Sequence, residues 1–195
     1  MDLFLVICQA LGLATAAGIR PFLPAMLAGA LASAETGLDF DSTEFAFLMD
    51  PAWLIVVVAA LAATVGYERR RPQAFDAGTL GACLAGVSIG VGALLAAGSL
   101  DDGHDVWWPG LPAGAACAAF AAAASRRFFA RVSQRLDPDA RSALAVYKDG
   151  ASLLLALLAV LVPPVSLLAL AALAWLHLRG RGRDEEKYAG LRILR

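Results

Sequence analysis

The sequence lacks the residue patterns that identify hydrolases, metalloproteins and nucleotide-binding enzymes. Two histidines and three cysteines occur in 195 residues, and no HExxH, GxSxG or phosphate-binding glycine motif is present. Cys8, Cys83 and Cys117 lie inside apolar runs without CxxC spacing, which favours helix packing over a disulfide framework or a zinc site. We therefore expect no catalytic residue, metal, cofactor or nucleic-acid partner.

Positive charge is missing from the start of the chain, where Asp2 is the only charged residue before Arg20. A secretory signal would carry a basic segment ahead of its apolar stretch. We therefore expect the first apolar segment to be retained in the mature protein.

Long apolar runs are what the sequence has in excess. Hydrophobic residues make up 59% of the chain, against roughly 45–50% in soluble proteins. The runs form five blocks, at residues 3–33, 51–67, 78–98, 107–124 and 151–178. Because a spanning helix needs about 20 apolar residues, the pattern predicts an all-α polytopic membrane domain over 1–178, followed by a basic tail at 179–195.

The charges between the blocks predict a topology. Loops 34–50 and 101–105 contain acidic residues but no Lys or Arg, whereas 68–76, 125–150 and the tail are rich in arginine. Lys and Arg remain on the cytoplasmic side of an inner membrane, so the three middle blocks should each cross it and the C-terminus should be cytoplasmic.

Both outer blocks contain helix breakers. Gly18, Pro21 and Pro24 interrupt the first block, and Pro163 and Pro164 interrupt the last. We predict two re-entrant hairpins that enter from opposite faces, with an inverted arrangement and the N-terminus outside. The alternative for the first block is one long kinked helix with a cytoplasmic N-terminus.

The segment 125–150 is amphipathic, because aromatic and aliphatic residues recur at helical spacing beside arginines. It predicts an interfacial cytoplasmic helix, with a second short helix that Asp137 caps and Pro138 begins.

Arg20 is the main candidate for function, since an arginine in an apolar block requires a partner, a cavity or the interface. The helix ends after Pro21 and Pro164 would point amide donors at a midplane gap, where Arg20 would bind a carboxylate or phosphate. Gly18, Pro24 and Pro163 complete this predicted anion site. The alternative is that Arg20 reaches the cytoplasmic surface and contacts a lipid phosphate or an acidic residue.

Other charged residues at the block ends have two interpretations each. Glu68, Asp76, Lys148 and Asp149 are candidates for gating or coupling, or are helix caps and anchors. Arginine clusters that could bind anionic headgroups are Arg69, Arg70, Arg71, Arg126 and Arg127.

A stripe of small residues, Ala82, Gly86 and Gly90, follows one face of block 78–98. Small residues at four-residue steps allow helices to approach closely. We expect the stripe to pack helices within the protomer or across a homo-oligomer, with a dimer as the first expectation.

Three segments resemble the bacterial DUF4126 family of small integral membrane proteins. They are GIRPFLP at 18–24, the pattern E68xxxP72xxxD76, and RLDPDARSALAVYKDGASLLLALLAVLVPPVSL at 135–167. The second segment is more basic here than the acid-and-lysine form associated with the family. The resemblance implies an architecture and leaves activity undefined.

These observations favour a small transporter or channel for an anionic solute. The alternatives are a non-transporting protein that organises lipids by binding headgroups and, less favoured, a lipid-processing enzyme or scramblase.

Overall fold

The computed structural model describes residues 2–34, 36–41, 43–70, 78–104, 106–133 and 138–175, and within these ranges all regular structure is helical. For Arg69, Gly78 and residues 138–142 the description covers the backbone alone. The α-helices are α1 Leu3–Ile19, α2 Phe22–Ser33, α3 Pro51–Arg70, α4 Gly78–His104, α5 Gly110–Ser133, α6 Pro138–Leu161 and α7 Pro163–Trp175. A short 3-10 helix, Ala46–Met49, precedes α3.

Within the described residues three helices are long and apolar enough to cross a membrane, which confirms the all-α polytopic fold. The spans are Pro51–Glu68, Thr79–His104 and Ala143–Leu161. The third candidate thus belongs to α6, rather than to the predicted block 107–124. That block forms most of α5, whose apolar part consists largely of alanine and glycine and whose last turns carry arginines, so its hydropathy is lower.

The helices run between two ends of a bundle that differ in charge. We call the end with residues 36–41, 43–50, 101–104 and 106–109 the acidic end, and the end with Glu68 and Arg126 the basic end. Gly103 of α4 meets Val6 of α1, and Gly92 meets Ala14, so α1 and α4 are antiparallel. The packing therefore places the start of α1 at the acidic end.

The first apolar block forms a hairpin, as predicted. At the tip, Arg20 contacts Glu68 near the basic end of α3. At the far end of α2, the Ser33 hydroxyl lies 3.4 Å from the Met49 carbonyl oxygen, at the acidic end. The helices α1 and α2 have lengths of about 25 Å and 18 Å, and the chain reverses between them.

Helix α1 forms the centre of the bundle and is buried against α4, α5 and α6. Small residues allow this close packing. A Cβ added at Gly18 would lie near the Ala118 carbonyl oxygen, and one added at Gly114 would lie 2.6 Å from the Gly92 carbonyl oxygen. The tip of the first hairpin is thereby fixed against α5.

The last block reverses at Val162, and Pro163 is the first residue of α7. Ala159 Cβ and Ser166 Cβ both lie within 2.7 Å of the position that a Gly12 Cβ would occupy. Seven residues of continuous helix would separate them by about 10.5 Å, so the chain turns back sharply. The prediction of two half-helices needs correction, because α6 has 24 residues and its window Ala143–Leu161 is long and apolar enough to span on its own.

The predicted interfacial helix at 125–150 is replaced by the ends of two long helices. The arginines at 126, 127 and 131 belong to the last turns of α5, and Lys148 belongs to α6. Both helices continue into apolar sequence, so the amphipathic pattern is that of helix ends. Asp137 and the tail at 179–195 lie outside the described residues.

The small-residue stripe on α4 has no close neighbour within the described chain. Ala82, Gly86 and Gly90 are exposed, and a Cβ at either glycine would meet no atom within 4 Å. The predicted contact of this stripe within the protomer is therefore absent from the described residues, and the dimer stays a prediction.

Candidate functional site

The break between α1 and α2 places Arg20 outside both helices. Its backbone is extended, with φ −146° and ψ 118°, while its N–H still donates to the Ala16 carbonyl oxygen at 3.1 Å. Pro21 has no backbone N–H to donate, and α2 begins at Phe22. The arginine side chain therefore extends sideways from the tip of the hairpin.

Arg20 contacts two carboxylates from different helices. Its Nη2 donates to Glu68 Oε2 of α3 at 2.6 Å, and its Nε lies 2.8 Å from Asp149 Oδ1 of α6. The contact with Asp149 is an ion pair, because the Nε–H of Arg20 is not aligned with the carboxylate oxygen for a hydrogen bond. The Arg20–Glu68 pair is better shielded from solvent than the Arg20–Asp149 pair. The side chains of Arg20 and Glu68 are 12% and 14% exposed, whereas that of Asp149 is 30% exposed.

Ser152, one turn after Asp149, attaches α6 to the end of α1. Its hydroxyl is fully buried and donates to the Ala16 carbonyl oxygen at 3.0 Å, with the Arg20 carbonyl oxygen at 3.4 Å. The Ala16 carbonyl oxygen also accepts the Arg20 N–H, so the Ser152 hydroxyl is a second donor to it at the end of α1. The position of Arg20 is therefore fixed from both its backbone and its side chain.

A cavity of about 70 Å³ adjoins the Arg20 side chain. The hairpin tip, α3, α4, α5 and α6 all contribute to its wall. Its charged lining residues are Arg20, Arg126, Lys148 and Asp149, and its hydroxyl-bearing lining residues are Thr64, Ser88 and Ser125. Cationic side chains thus outnumber carboxylates in the lining.

Two of the cations are oriented by contacts of their own. Lys148 Nζ lies 5.1 Å from the centre of the Phe129 ring, a cation–π distance. Arg126 Nε donates to the Ala122 carbonyl oxygen of its own helix at 3.0 Å. Each of these contacts positions a positive charge at the cavity.

The structure separates the predicted site residues into groups. Arg20, Pro21, Lys148 and Asp149 line the cavity together with Gly18, and Glu68 joins them through Arg20. Gly18 permits close packing on α5, and Pro24 is buried within α2.

Pro163 and Pro164 lie elsewhere, because Val160, two residues before the turn, meets Gly37 at the acidic end. Ser152 is at the level of Arg20, and ten further residues of helix to Val162 add about 15 Å. Arg20 itself lies beside the last residue of the Pro51–Glu68 span, towards the basic end rather than at the midplane.

Of the predicted arginine clusters, Arg126 is the described member that lines the cavity. Arg70 and Arg127 are exposed at helix ends. Asp76 and Arg71 lie outside the described residues, and for Arg69 only the backbone is described.

A second cavity, of about 290 Å³, lies at the opposite end of α1. Asp39, Asp102 and Ser99 line it, with buried Gln9. Gln9 Nε2 donates to the Gly37 carbonyl oxygen at 2.9 Å, and Asp102 Oδ2 lies 3.4 Å from the Asp39 amide nitrogen. The two cavities therefore have lining charges of opposite sign.

Sequence reasoning missed the hydroxyl-bearing residues around Arg20. Ser88, Ser125 and Ser152 lie in apolar helices, where a single serine is unremarkable. The sequence did contain one signal for Ser88. This polar residue lies on the face of α4 opposite to Gly86 and Gly90, and that face packs inward.

Residues 7–182 match the family described as "Domain of unknown function (DUF4126)". The chain belongs to the DUF4126 family. Neither the curated proteins nor the solved structures contain a match. The resemblance that the sequence suggested is thus confirmed over most of the chain.

The three segments that carry the resemblance to DUF4126 meet at the site. The first contains Arg20, the second begins with Glu68, and the third contains Asp149. The ion pairs join these segments in space, although 48 residues separate Arg20 from Glu68 along the chain. The site is therefore built from all three.

Proposed function

We propose that this protein is a small integral membrane transporter or channel for an anionic solute, which binds beside Arg20. The observation that carries the proposal is the cavity at the basic end, where Arg20, Arg126 and Lys148 face a small space inside a bundle of apolar helices. Clustered cations attract an anion, and the attraction is stronger where solvent access is low, as it is at Arg20.

The ion pairs of Arg20 offer a way to link anion binding to movement. Glu68 and Asp149 come from different helices, so an anion that displaces either carboxylate from Arg20 also frees a helix contact. Helix α3 is the element we expect to move, because only 6% of its spanning window is buried. A ligand shifts a conformational equilibrium when it binds one state better than the other.

A route across the bundle would connect the two cavities along α1. Leu13, Ala16 and Ala17 between them are fully buried, so the described conformation is closed at this level. Transport would require an opening there, and the buried Thr15 and Ser99 hydroxyls would be polar points along the route.

We also propose an inner-membrane location with the basic end in the cytoplasm. Arg126 and Arg127 at one end and Asp39 and Asp102 at the other support this orientation, since Lys and Arg concentrate on the cytoplasmic side. The N-terminus, at the acidic end, would then face outward.

Anion flux in proteoliposomes tests the proposal. Arg126→Gln removes a charge from the cavity wall, whereas Arg127→Gln removes an exposed neighbouring charge outside the cavity lining. We expect flux that falls about tenfold or more in Arg126→Gln and stays near wild type in Arg127→Gln. Equal losses in both variants, or no flux of any anion, would contradict an anion pathway through the cavity.

A second candidate function is binding of anionic lipid headgroups. It is favoured by exposed Arg126 and Arg127 beside Phe128, a residue that is 43% exposed at the same end of α5. An aromatic residue among arginines is typical of a membrane interface. In this case both arginine variants would reduce retention of anionic lipid to a similar degree, with no anion flux in wild type.

A further inference from the structure

We propose that one anionic phospholipid binds at the basic end, with its phosphate on Arg126 and an acyl chain in a wedge between α3 and α4. This inference names a lipid partner and a defined site for it. It goes beyond the proposed transport of a solute and does not depend on anion flux. It is carried by the loss of burial along two helix faces, by the apolar walls of the wedge and by the charge at its mouth.

The inward face of α4 is less covered near the basic end than near the acidic end. Leu84 and Ala85 precede Leu95 and Ala96 by eleven residues, or three helical turns, so the two pairs lie on the same face. Leu95 and Ala96 are fully buried. Leu84 and Ala85 line the cavity and are only partly buried. The part of the chain that the structure describes therefore leaves this face of α4 open at the level of the cavity.

Helix α3 shows the same change towards the basic end. Val57 is 3% exposed, whereas Leu61, Thr64 and Val65 follow on the same face, line the cavity and are only partly buried. The main contacts of α3 are with α2 and the short 3-10 helix. A wedge that is open on one side therefore separates the basic halves of α3 and α4.

The wedge lies at the depth of one membrane leaflet. Seven residues of helix, or about 10.5 Å, lead from Glu68 at the end of the α3 span to Leu61. One leaflet contributes about 15 Å of hydrocarbon. The walls of the wedge at Leu61, Val65, Leu84 and Ala85 are apolar. An acyl chain of the leaflet at the basic end would cover this apolar surface.

Arg126 supplies positive charge at the mouth of the wedge. It lines the cavity and is exposed, and its one hydrogen bond among the described residues runs from Nε to the Ala122 carbonyl oxygen. Its terminal nitrogens therefore remain for a phosphate, since an arginine fork binds two phosphate oxygens together. The last turns of α5 carry three arginines and no acidic residue, which favours an anionic headgroup over a zwitterionic one.

The experiment measures which lipid the full-length protein retains. The protein is placed in nanodiscs that contain phosphatidylglycerol and phosphatidylcholine in equal amounts, extracted in a mild detergent, and analysed by native mass spectrometry. Arg126→Gln tests the headgroup contact, and Arg127→Gln is its exposed neighbour. Ala85→Leu fills the wedge, and Ala82→Leu makes the same change on the opposite, exposed face of α4.

We expect wild type to retain one phosphatidylglycerol in preference to phosphatidylcholine. Arg126→Gln should reduce this retention about tenfold, because charge-assisted hydrogen bonds to the phosphate are lost. Ala85→Leu should reduce it to a similar degree, because the larger side chain occupies the place of the acyl chain. Arg127→Gln and Ala82→Leu should each change it by less than about twofold.

Other results would overturn the inference. Equal losses in Arg126→Gln and Arg127→Gln, with no loss in Ala85→Leu, would mean that lipids are attracted only to the charged surface. A dimer that retains no lipid in wild type and dissociates in Ala85→Leu would mean that a second copy of the chain fills the wedge. Anion flux without lipid retention would overturn the lipid site and leave the transport function in place. Lipid retention as expected without anion flux would support the lipid site and contradict the transport function.

Discussion

Arg20 and Glu68 form a 2.6 Å ion pair that connects the tip of the first hairpin to the basic end of α3. The pair matters for stability because α3 has few other attachments to the described part of the chain. Its main contacts are with α2 and the short 3-10 helix, and its spanning window is nearly all exposed. We therefore regard this ion pair as the contact that determines where the basic end of α3 lies.

The first prediction concerns the energy of that pair. Glu68→Gln should lower the free energy of unfolding by roughly 1–3 kcal/mol, because it leaves a shielded Arg20 charge with Asp149 as its remaining carboxylate partner among the described side chains. Thermal unfolding in detergent measures the loss. Asp41→Asn, which changes an exposed carboxylate at the acidic end, is the control and should have little effect.

A double-mutant cycle separates the pair from general destabilisation. Arg20→Gln, Glu68→Gln and the double variant should show a coupling energy of roughly 0.5–3 kcal/mol. Strictly additive losses would mean that the two side chains do not interact in the membrane-embedded protein.

The second prediction concerns the packing of α1 on α5. Gly18→Ala should destabilise the protein by roughly 1–3 kcal/mol, because the new methyl group would overlap the Ala118 carbonyl oxygen. Gly86→Ala is the matched control, since a Cβ there meets open space and alanine favours helix by up to about 1 kcal/mol. Unfolding temperatures in detergent provide the comparison, and similar values for both variants would contradict the close packing at Gly18.

The sequence predicted the membrane class and the first hairpin because both depend on local chemistry. An apolar run of sufficient length spans, and the breakers around Pro21 end one helix and begin another. The residues at which the helices of the last hairpin begin and end were harder to predict from the sequence. Two adjacent prolines mark a break, but only the packing of Ser166 and Ala159 against Gly12 shows that a full-length helix precedes the turn.

The residues of the site were predictable from local sequence, but their contacts were not. An arginine in an apolar block indicates a partner, and Glu68 and Asp149 were candidates from their positions at block ends. Which of them Arg20 contacts depends on how α3 and α6 pack, and no local pattern contains that information. Asp76 was a candidate on the same grounds and lies outside the described residues.

The third prediction concerns the acidic cavity and depends on the proposed function. Asp102→Asn should increase anion flux by roughly two- to tenfold at low salt, since the carboxylate repels an anion that enters or leaves at this end. The increase should shrink as ionic strength rises. Asp41→Asn serves as the control. A decrease in flux would mean that the acidic end does not act as an electrostatic barrier.

The fourth prediction tests the hairpin topology directly. Because α1 and α2 are antiparallel, Asp2 and Asp41 should lie on one side of the membrane and Arg127 on the other. The test introduces single cysteines at these positions in a variant in which Cys8, Cys83 and Cys117 are replaced. An impermeant maleimide should label positions 2 and 41 from one side of the membrane and position 127 from the other. Asp2→Cys labelled from the same side as Arg127→Cys would show that α1 crosses as one kinked helix. We expect the opposite result, because Val6 near the start of α1 contacts Gly103, which lies in the last turn of α4 at the acidic end.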